Sequence, residues 1–337
     1  MPYFVEMTSR VRRKRRSKYR VLNWPEYNRG LQRRGDVRIW FSDDVIEGWY
    51  CGNDAIGSVR GRPFLYSDIM IECALSLRCI FHLGLRQTQG FVESLLGLLD
   101  ISASCADYST LSRRTGGLCA SIKKRLSGYD SSQPITLCID SSGLKIYGEG
   151  EWRRKKHGKA MRRQWRKLHI GCTGDGHIVT HALTDNDCGD DAVLPELLDD
   201  IAPEQRIDTV RLDGAYDRAS CYRAIVRRGV QANIPPPCNA RINETIAEGD
   251  PRAIRNQAIH RIEALGGGSK GKHRWRKETG HYQREKAENT FSRFKAIFSP
   301  ALAARAFSNQ QTEAAIKCNI LNQFLNIAKP ISQKITP

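Results

Sequence analysis

Asp140, Asp213 and Glu288 are the acids whose surroundings set them apart. Asp140 closes the apolar run ITLCID, and Asp213 closes TVRLD immediately before Gly214. Short runs of β-branched and aliphatic residues that end in an acid and a small residue read as buried strands giving way to a turn. A carboxylate at such a point is costly to bury alone and serves as a cap or as a metal ligand. Glu288 lies in GHYQREKAENTFSRFK, with Arg284 four residues before it and Lys295 seven after. On a helix those three share a face with Phe291. If they form only a solvated surface, the Arg284–Glu288 pair contributes roughly 0.3–0.5 kcal/mol, and the two strand-end aspartates go unexplained. If instead the three acids line one pocket, their oxygens suit two Mg²⁺ ions about 3.5–4 Å apart, one activating an attacking hydroxyl and the other stabilising a leaving oxygen. Asp185, Asp187, Asp190 and Asp191 in TDNDCGDD read as turn and helix-cap residues, with an accessory role as the alternative.

The charge balance says what such a pocket would meet. Lys and Arg number 54 against 36 Asp and Glu, a net +18, which favours a polyanionic partner because each neutralised phosphate releases condensed counterions. The cations cluster. Residues 10–20, RVRRKRRSKYR, hold eight cations, Arg12 and Arg13 among them, and no acid; the stretch reads as a phosphate-binding arm or a solvated tail. EWRRKKHGKAMRRQWRKLHI carries Arg153, Arg154, Lys155, Lys156, Arg162 and Arg163 between the first two acids, with Trp152 and Trp165 interleaved. Its cations suit phosphates, while the indoles either stack on bases or pack on the sheet. No apolar run reaches the ~20 residues of a membrane span, since IMIECALSLRCIFHLGL is broken by Glu72, Arg78 and His82. Eleven cysteines, scattered singly with no CxxC and no signal peptide, read as reduced thiols, mostly buried, of a cytoplasmic protein. His177 and His181 in HIVTH lack a matching pair of ligands and read as solvated residues of a hairpin.

These groups need a scaffold, and the pattern along the chain supplies one. Residues 1–65 are the basic arm and a lead-in. Residues 66–130 are helical: SDIMIECALSLRCIFHLG starts at a Ser67/Asp68 cap, RQTQGFVESLLGLLD follows, and after the turn DISASCAD comes a short polar helix, YSTLSRRTGG. Ser109, Thr110, Ser112, Arg113 and Arg114 on that last helix suit a helix-turn-helix reader of DNA, an ordinary helical bundle being the alternative. Residues 131–330 are mixed α/β. ITLCID, KLHIGCTGDG and HIVTHALT form an antiparallel meander, and then helix, strand, helix and a short strand alternate through QANIPPP. Residues 238–279 read as an insertion or irregular loop, and NQQTEAAIKCNILNQFLNIAK as an amphipathic final helix.

The spacing H-x2-R-x3-E-x6-K around Arg284, Glu288 and Lys295, taken with IDSSGLKIYGEGEW, VRLDGAYD, LTDNDCGDD and YRVLNWPEYNRGLQRRG, resembles the DDE transposases of the insertion-sequence-five family. That family belongs to a bacterial group with a Tyr-x2-Arg-x3-Glu-x6-Lys signature. The resemblance implies an RNase H-like catalytic domain in which Asp140, Asp213 and Glu288 hold two Mg²⁺, with Mn²⁺ as a substitute. It implies that Arg284 and Lys295 meet DNA near the cut, and that the chain acts on double-stranded DNA as a homodimer or larger assembly, away from membranes. At the signature tyrosine this sequence has His281, with Tyr282 one residue late. The rival expectations are another metal-dependent nuclease of the same fold, or a DNA-binding regulator descended from such an enzyme with its chemistry lost.

Overall fold

The strand ITLCIDSSGLKI, β2 (Ile135–Ile146), organises the larger part of the chain. Its alternation sends Leu137 and Ile139 into an aliphatic core on one face, and so directs Cys138, Asp140 and Ser142 to the other. A computed structural model describes residues 18–51, 64–129, 133–146, 165–247 and 249–335. The described residues divide into two compact units, one of residues 37–325 and one joining residues up to 36 with those from 326 onward. The basic arm up to residue 17 and the cations from Arg153 to Arg163 lie outside the described residues.

In the larger unit β2 pairs antiparallel with β3 (Trp165–Thr173), which pairs antiparallel with β4 (Ile178–Asp185). On its other side β2 runs parallel to β5 (Ile207–Arg211), and β5 to β6 (Gln231–Asn233), giving the order β4-β3-β2-β5-β6. The two-residue β7 (Ala301–Leu302) joins the far end of β2. Three meandering strands followed by two parallel ones make the mixed α/β sheet of an RNase H-like fold. The parallel pairings require crossovers: α7 (Asp190–Asp199) lies between β4 and β5, and α8 (Ala219–Arg227) between β5 and β6. The two helices pack on each other, and their Val193, Leu194, Leu197, Cys221 and Ile225 fill the core beneath Leu137 and Ile139.

The helical region belongs to the same unit. After α2 (Asp43–Glu47) come α3 (Asp68–Phe81), α4 (Leu85–Leu98), α5 (Tyr108–Thr115) and α6 (Cys119–Ser127). Ser67 caps α3 by accepting from Met70 N at 3.2 Å. Asp107 caps α5 through Ser109 N at 2.7 Å, and its hydrogen bonds, those from Ser109 first, pull its carboxyl down to about 2. Helices α3, α4 and α5 pack on one another.

Of the two readings of residues 238–279, an insertion or an irregular loop, the irregular loop does not hold. These residues form a helical hairpin, α9 (Ala253–Ala264) and α10 (Gly268–Glu278). Gly266, Gly267 and Gly268 form the turn, all at positive φ. A Cβ on Gly271 would meet the backbone carbonyl of Ile262, so this glycine is what lets the two helices approach. The helix α11 (Glu285–Phe298) follows, and α12 (Phe307–Ile327) closes the series. The pattern of the latter predicts an amphipathic helix. Instead α12 is buried along most of its length, because its polar residues have internal partners. Lys317 Nζ and Glu313 Oε1 pair at 2.6 Å, and Asn322 brackets Ile178, accepting from its N–H at 2.8 Å and donating to its carbonyl at 2.7 Å.

In the smaller unit α1 (Trp24–Arg33) meets the chain's other end: Arg34 Nη2 donates to Ala328 O at 2.6 Å, and β1 (Lys18–Val21) pairs antiparallel with β8 (Ser332–Ile335). The lead-in is therefore partnered with the C-terminal residues.

All eleven cysteines are free, most of them buried. The histidines of HIVTH do not share the solvated character expected of them. His181 is only 2% exposed with no hydrogen-bond partner on either ring nitrogen, and burial pushes it down to about 4; His169 on β3 is likewise pushed down to about 4. Unfolded histidines take up protons near ~6.5. Between that pH and about 4 the unfolded chain therefore binds more protons than the folded one, so stability is full above the window and falls through it as pH drops. His181→Leu is expected to remove up to one proton's worth of that slope, read from denaturant midpoints at pH 7 and pH 5; an unchanged slope would refute the assignment.

Candidate active site

Helix α11 crosses the face of β2 that carries Asp140, touching both β2 and β3. Ala287, Thr290, Phe291, Phe294 and Phe298 make its buried stripe, leaving Glu288 and Lys295 at the border of the contact. Gly280, at φ 63°, breaks the chain after α10, and a 3-10 turn over His281–Arg284 leads into the helix. Arg284 thus stands at the N-cap of α11 and not inside a continuous helix, yet keeps its four-residue relation to Glu288. Two contacts set the register: Cys138 Sγ donates to Gln283 O at 3.3 Å, and Lys295 Nζ to Ser142 Oγ at 2.6 Å.

That register brings the carboxylates together. Arg284 Nη1 donates to Asp140 Oδ2 at 2.9 Å while its Nη2 pairs with Glu288, so one guanidinium joins the strand acid to the helix acid. Asp213, following β5, lines an open cleft with Glu288, Arg284 and Tyr282. Each aspartate is also anchored locally, Asp140 Oδ1 by Ser141 N at 2.9 Å and Asp213 Oδ1 by Ala215 N at 2.8 Å. Burial raises the Asp140 carboxyl above the usual aspartate range; Arg284 opposes the rise, and the negative charges of Asp213 and Glu288 add to it. Among the described residues no three acidic, imidazole or thiol groups stand close enough together to hold a metal ion as placed, since the guanidinium lies between two of the carboxylates.

His281 and Tyr282 have different surroundings. His281 is buried, its Nε2 hydrogen-bonded to Leu212 O at 2.9 Å; burial lowers its pKa, leaving a neutral ring that donates. Tyr282 is 43% exposed and lines the cleft. Of the helical-region arginines, Arg113 is exposed, reaching only Thr110 Oγ1 at 3.1 Å. Arg114 is tied to Asp68 and the carbonyl of Tyr66 and lies over the Phe64 ring, so it braces the fold. Sequence reasoning missed Ser142, which holds Lys295, and Arg276 of α10, which lines the cleft. The second serine after Asp140 was a usable signal for Ser142, by strand alternation; Arg276 had none without the hairpin.

The strands and the helix that carry the three acids all fall within the match to a known family. A model described as "Transposase DDE domain" matches residues 131–323, more than half of the chain, and a second model of the same description matches residues 32–149. The chain belongs to the transposase DDE domain family. Among solved structures it is similar to the Drosophila P element transposase strand transfer complex, at 10% identity and a TM-score of 0.30, over 88% of this chain and 86% of that one.

The His281 contact is testable on its own. His281→Leu leaves the buried Leu212 carbonyl without a donor, so a loss of about 1–3 kcal/mol is expected, while His281→Gln recovers part of it and Tyr282→Phe stays near wild type. Urea denaturation measures all three; equal stability of His281→Leu and wild type would show that the bond contributes nothing.

Proposed function

We propose that the chain is a transposase related to the insertion-sequence-five family, which binds the terminal inverted repeats of its element, cuts at the ends and joins the freed 3′-hydroxyls to target DNA. The observation that carries this reading is the Asp140–Arg284–Glu288 bridge, with Asp213 lining the same open cleft as Arg284 and Glu288. A partly buried strand acid tied to a helix acid through one guanidinium is weak evidence for a stabilising role, since well-packed aliphatic residues often serve stability as well or better.

The donors fit a divalent metal. All three are hard carboxylate oxygens of the kind Mg²⁺ and Mn²⁺ prefer, and two of them already share one cation, Arg284. Asp140, Asp213 and Glu288 would hold it, and a bound pair of Mg²⁺ ions supplies an activated hydroxyl and a stabilised leaving oxygen. The chain's own residues do the rest. Ser141 N and Ala215 N keep the two aspartates oriented. Arg284 transfers from the carboxylates to an incoming phosphate. Lys295, held by Ser142, places a second cation beside it. Tyr282, exposed in the cleft one residue after the signature position, takes the role of the family's tyrosine toward DNA, and the exposure of its ring supports this. Arg113 is the exposed cation of the helical region offered to the element end, and Arg12, Arg13 and the Arg153–Arg163 run supply phosphate contacts. The acting form is a homodimer or larger assembly on double-stranded DNA, associated with the nucleoid.

Replacing Asp140 or Asp213 by Asn, or Glu288 by Gln, is expected to abolish end cleavage while DNA binding persists. Substantial cleavage by Asp213→Asn in Mg²⁺ would sink the triad, and binding without cleavage by the wild type would favour a regulator. Arg284→Ala and Lys295→Ala are each expected to slow single-turnover cleavage of pre-bound ends by at least ~10-fold, about 1.4 kcal/mol. Unchanged rates with weaker binding would return both to the role of surface charges.

A further inference from the structure

Helix α10 holds five Lys and Arg residues and a single acid, Glu278, which is taken by Arg261 at 2.9 Å. Two of the cations are tied to backbone carbonyls: Lys272 Nζ donates to Pro236 O at 2.5 Å, and Arg274 Nη1 to Leu265 O at 2.9 Å. Trp275 and Gly271 pack the opposite side against the fold. Lys270, His273 and Lys277 are exposed and recur at three- and four-residue spacing, so they form one outward stripe. Arg276 stands beside that stripe and lines the cleft of Asp213, Arg284 and Glu288; its Nε is buried without a partner. Because Arg276 lies at the wall of the cleft, its unbonded nitrogen leaves a donor for an acceptor that enters there.

We propose that α10 is a phosphate-tracking helix: Arg276 grips a backbone phosphate of the DNA strand in the cleft, and Lys270, His273 and Lys277 follow that strand outward. The stripe spans about 10 Å along the helix axis, the rise of seven residues at ~1.5 Å each. That matches about three nucleotides at ~3.4 Å of rise per strand step. The hairpin is built to deliver it, since Gly271 seats α10 closely on α9 and the Gly280 break turns the chain from Arg276 straight into the Arg284 turn. The inference rests on the cleft being a DNA-cutting site, and adds the element that holds the strand there.

The test separates the two. Binding of the full-length protein to a short mixed-sequence duplex is measured in metal-free buffer across a range of salt. Lys270→Gln and Lys277→Gln are each expected to reduce the slope of log K against log salt by ~0.9, one phosphate contact. Arg206→Gln removes an exposed charge just before β5, at the end of that strand away from Asp213, and is expected to leave the slope unchanged. Equal slopes for all three variants would overturn the stripe. On saturating DNA that carries the element's terminal repeat, Arg276→Gln is expected to cut at least ~10-fold more slowly, with Arg276→Lys recovering part of the rate; a wild-type rate for Arg276→Gln would remove that residue from the proposal. Should Asp213→Asn still cleave, the triad falls, while the metal-free slopes still decide for or against α10.

Discussion

A charged carboxylate on the face of the central strand is the constraint around which this molecule is arranged. Asp140 sits on β2, which has a pairing strand on each side, so its charge is partly removed from water and must be neutralised locally. Arg284 does this, and can do it only if α11 lies over β2 in one register. The aromatic stripe of Phe291, Phe294 and Phe298 supplies adhesion but little directional information, and the Gln283 and Ser142 contacts pin the slide of helix over strand. A one-turn slip, about 5.4 Å, would strand both Asp140 and Arg284. The position of Glu288 relative to Asp140 follows from that single register.

Local pattern revealed the parts of this arrangement that local physics decides. The β-branched runs of β2 to β5 declared themselves through composition and terminal acids, and the α11 constellation through its four- and seven-residue intervals. The parts that were hidden depend on partners far along the chain. Gly271 reads as a helix breaker until Ile262 is seen to need its empty side, so α9 and α10 were masked by the glycines that join them. Glu313 and Lys317 look like a polar surface on α12, and only the amides of Ala303 and Ala304 and the closeness of the pair explain how both are buried. Nothing near β1 foretells its pairing with β8 from the opposite end of the chain.

The acids and the cations of the cleft also have to be understood as one electrostatic system. The chain carries +18 overall, yet its most distinctive site gathers three negative charges. Left alone, such a site would repel phosphate. At an effective dielectric of ~20, two charges 4 Å apart interact by about 4 kcal/mol, several times the value in bulk water, so the placement of each cation matters more here than on the surface. On the transposase reading, Arg284 bridges Asp140 and Glu288 while DNA is away and holds the acids in position. A guanidinium is suited to this exchange because its five donors can leave one carboxylate for a phosphate without the group ever losing charge. Lysine at that place would form one point contact and could not join two acids. On that reading the residue that joins two of the acids in the free site is the one that the substrate later engages.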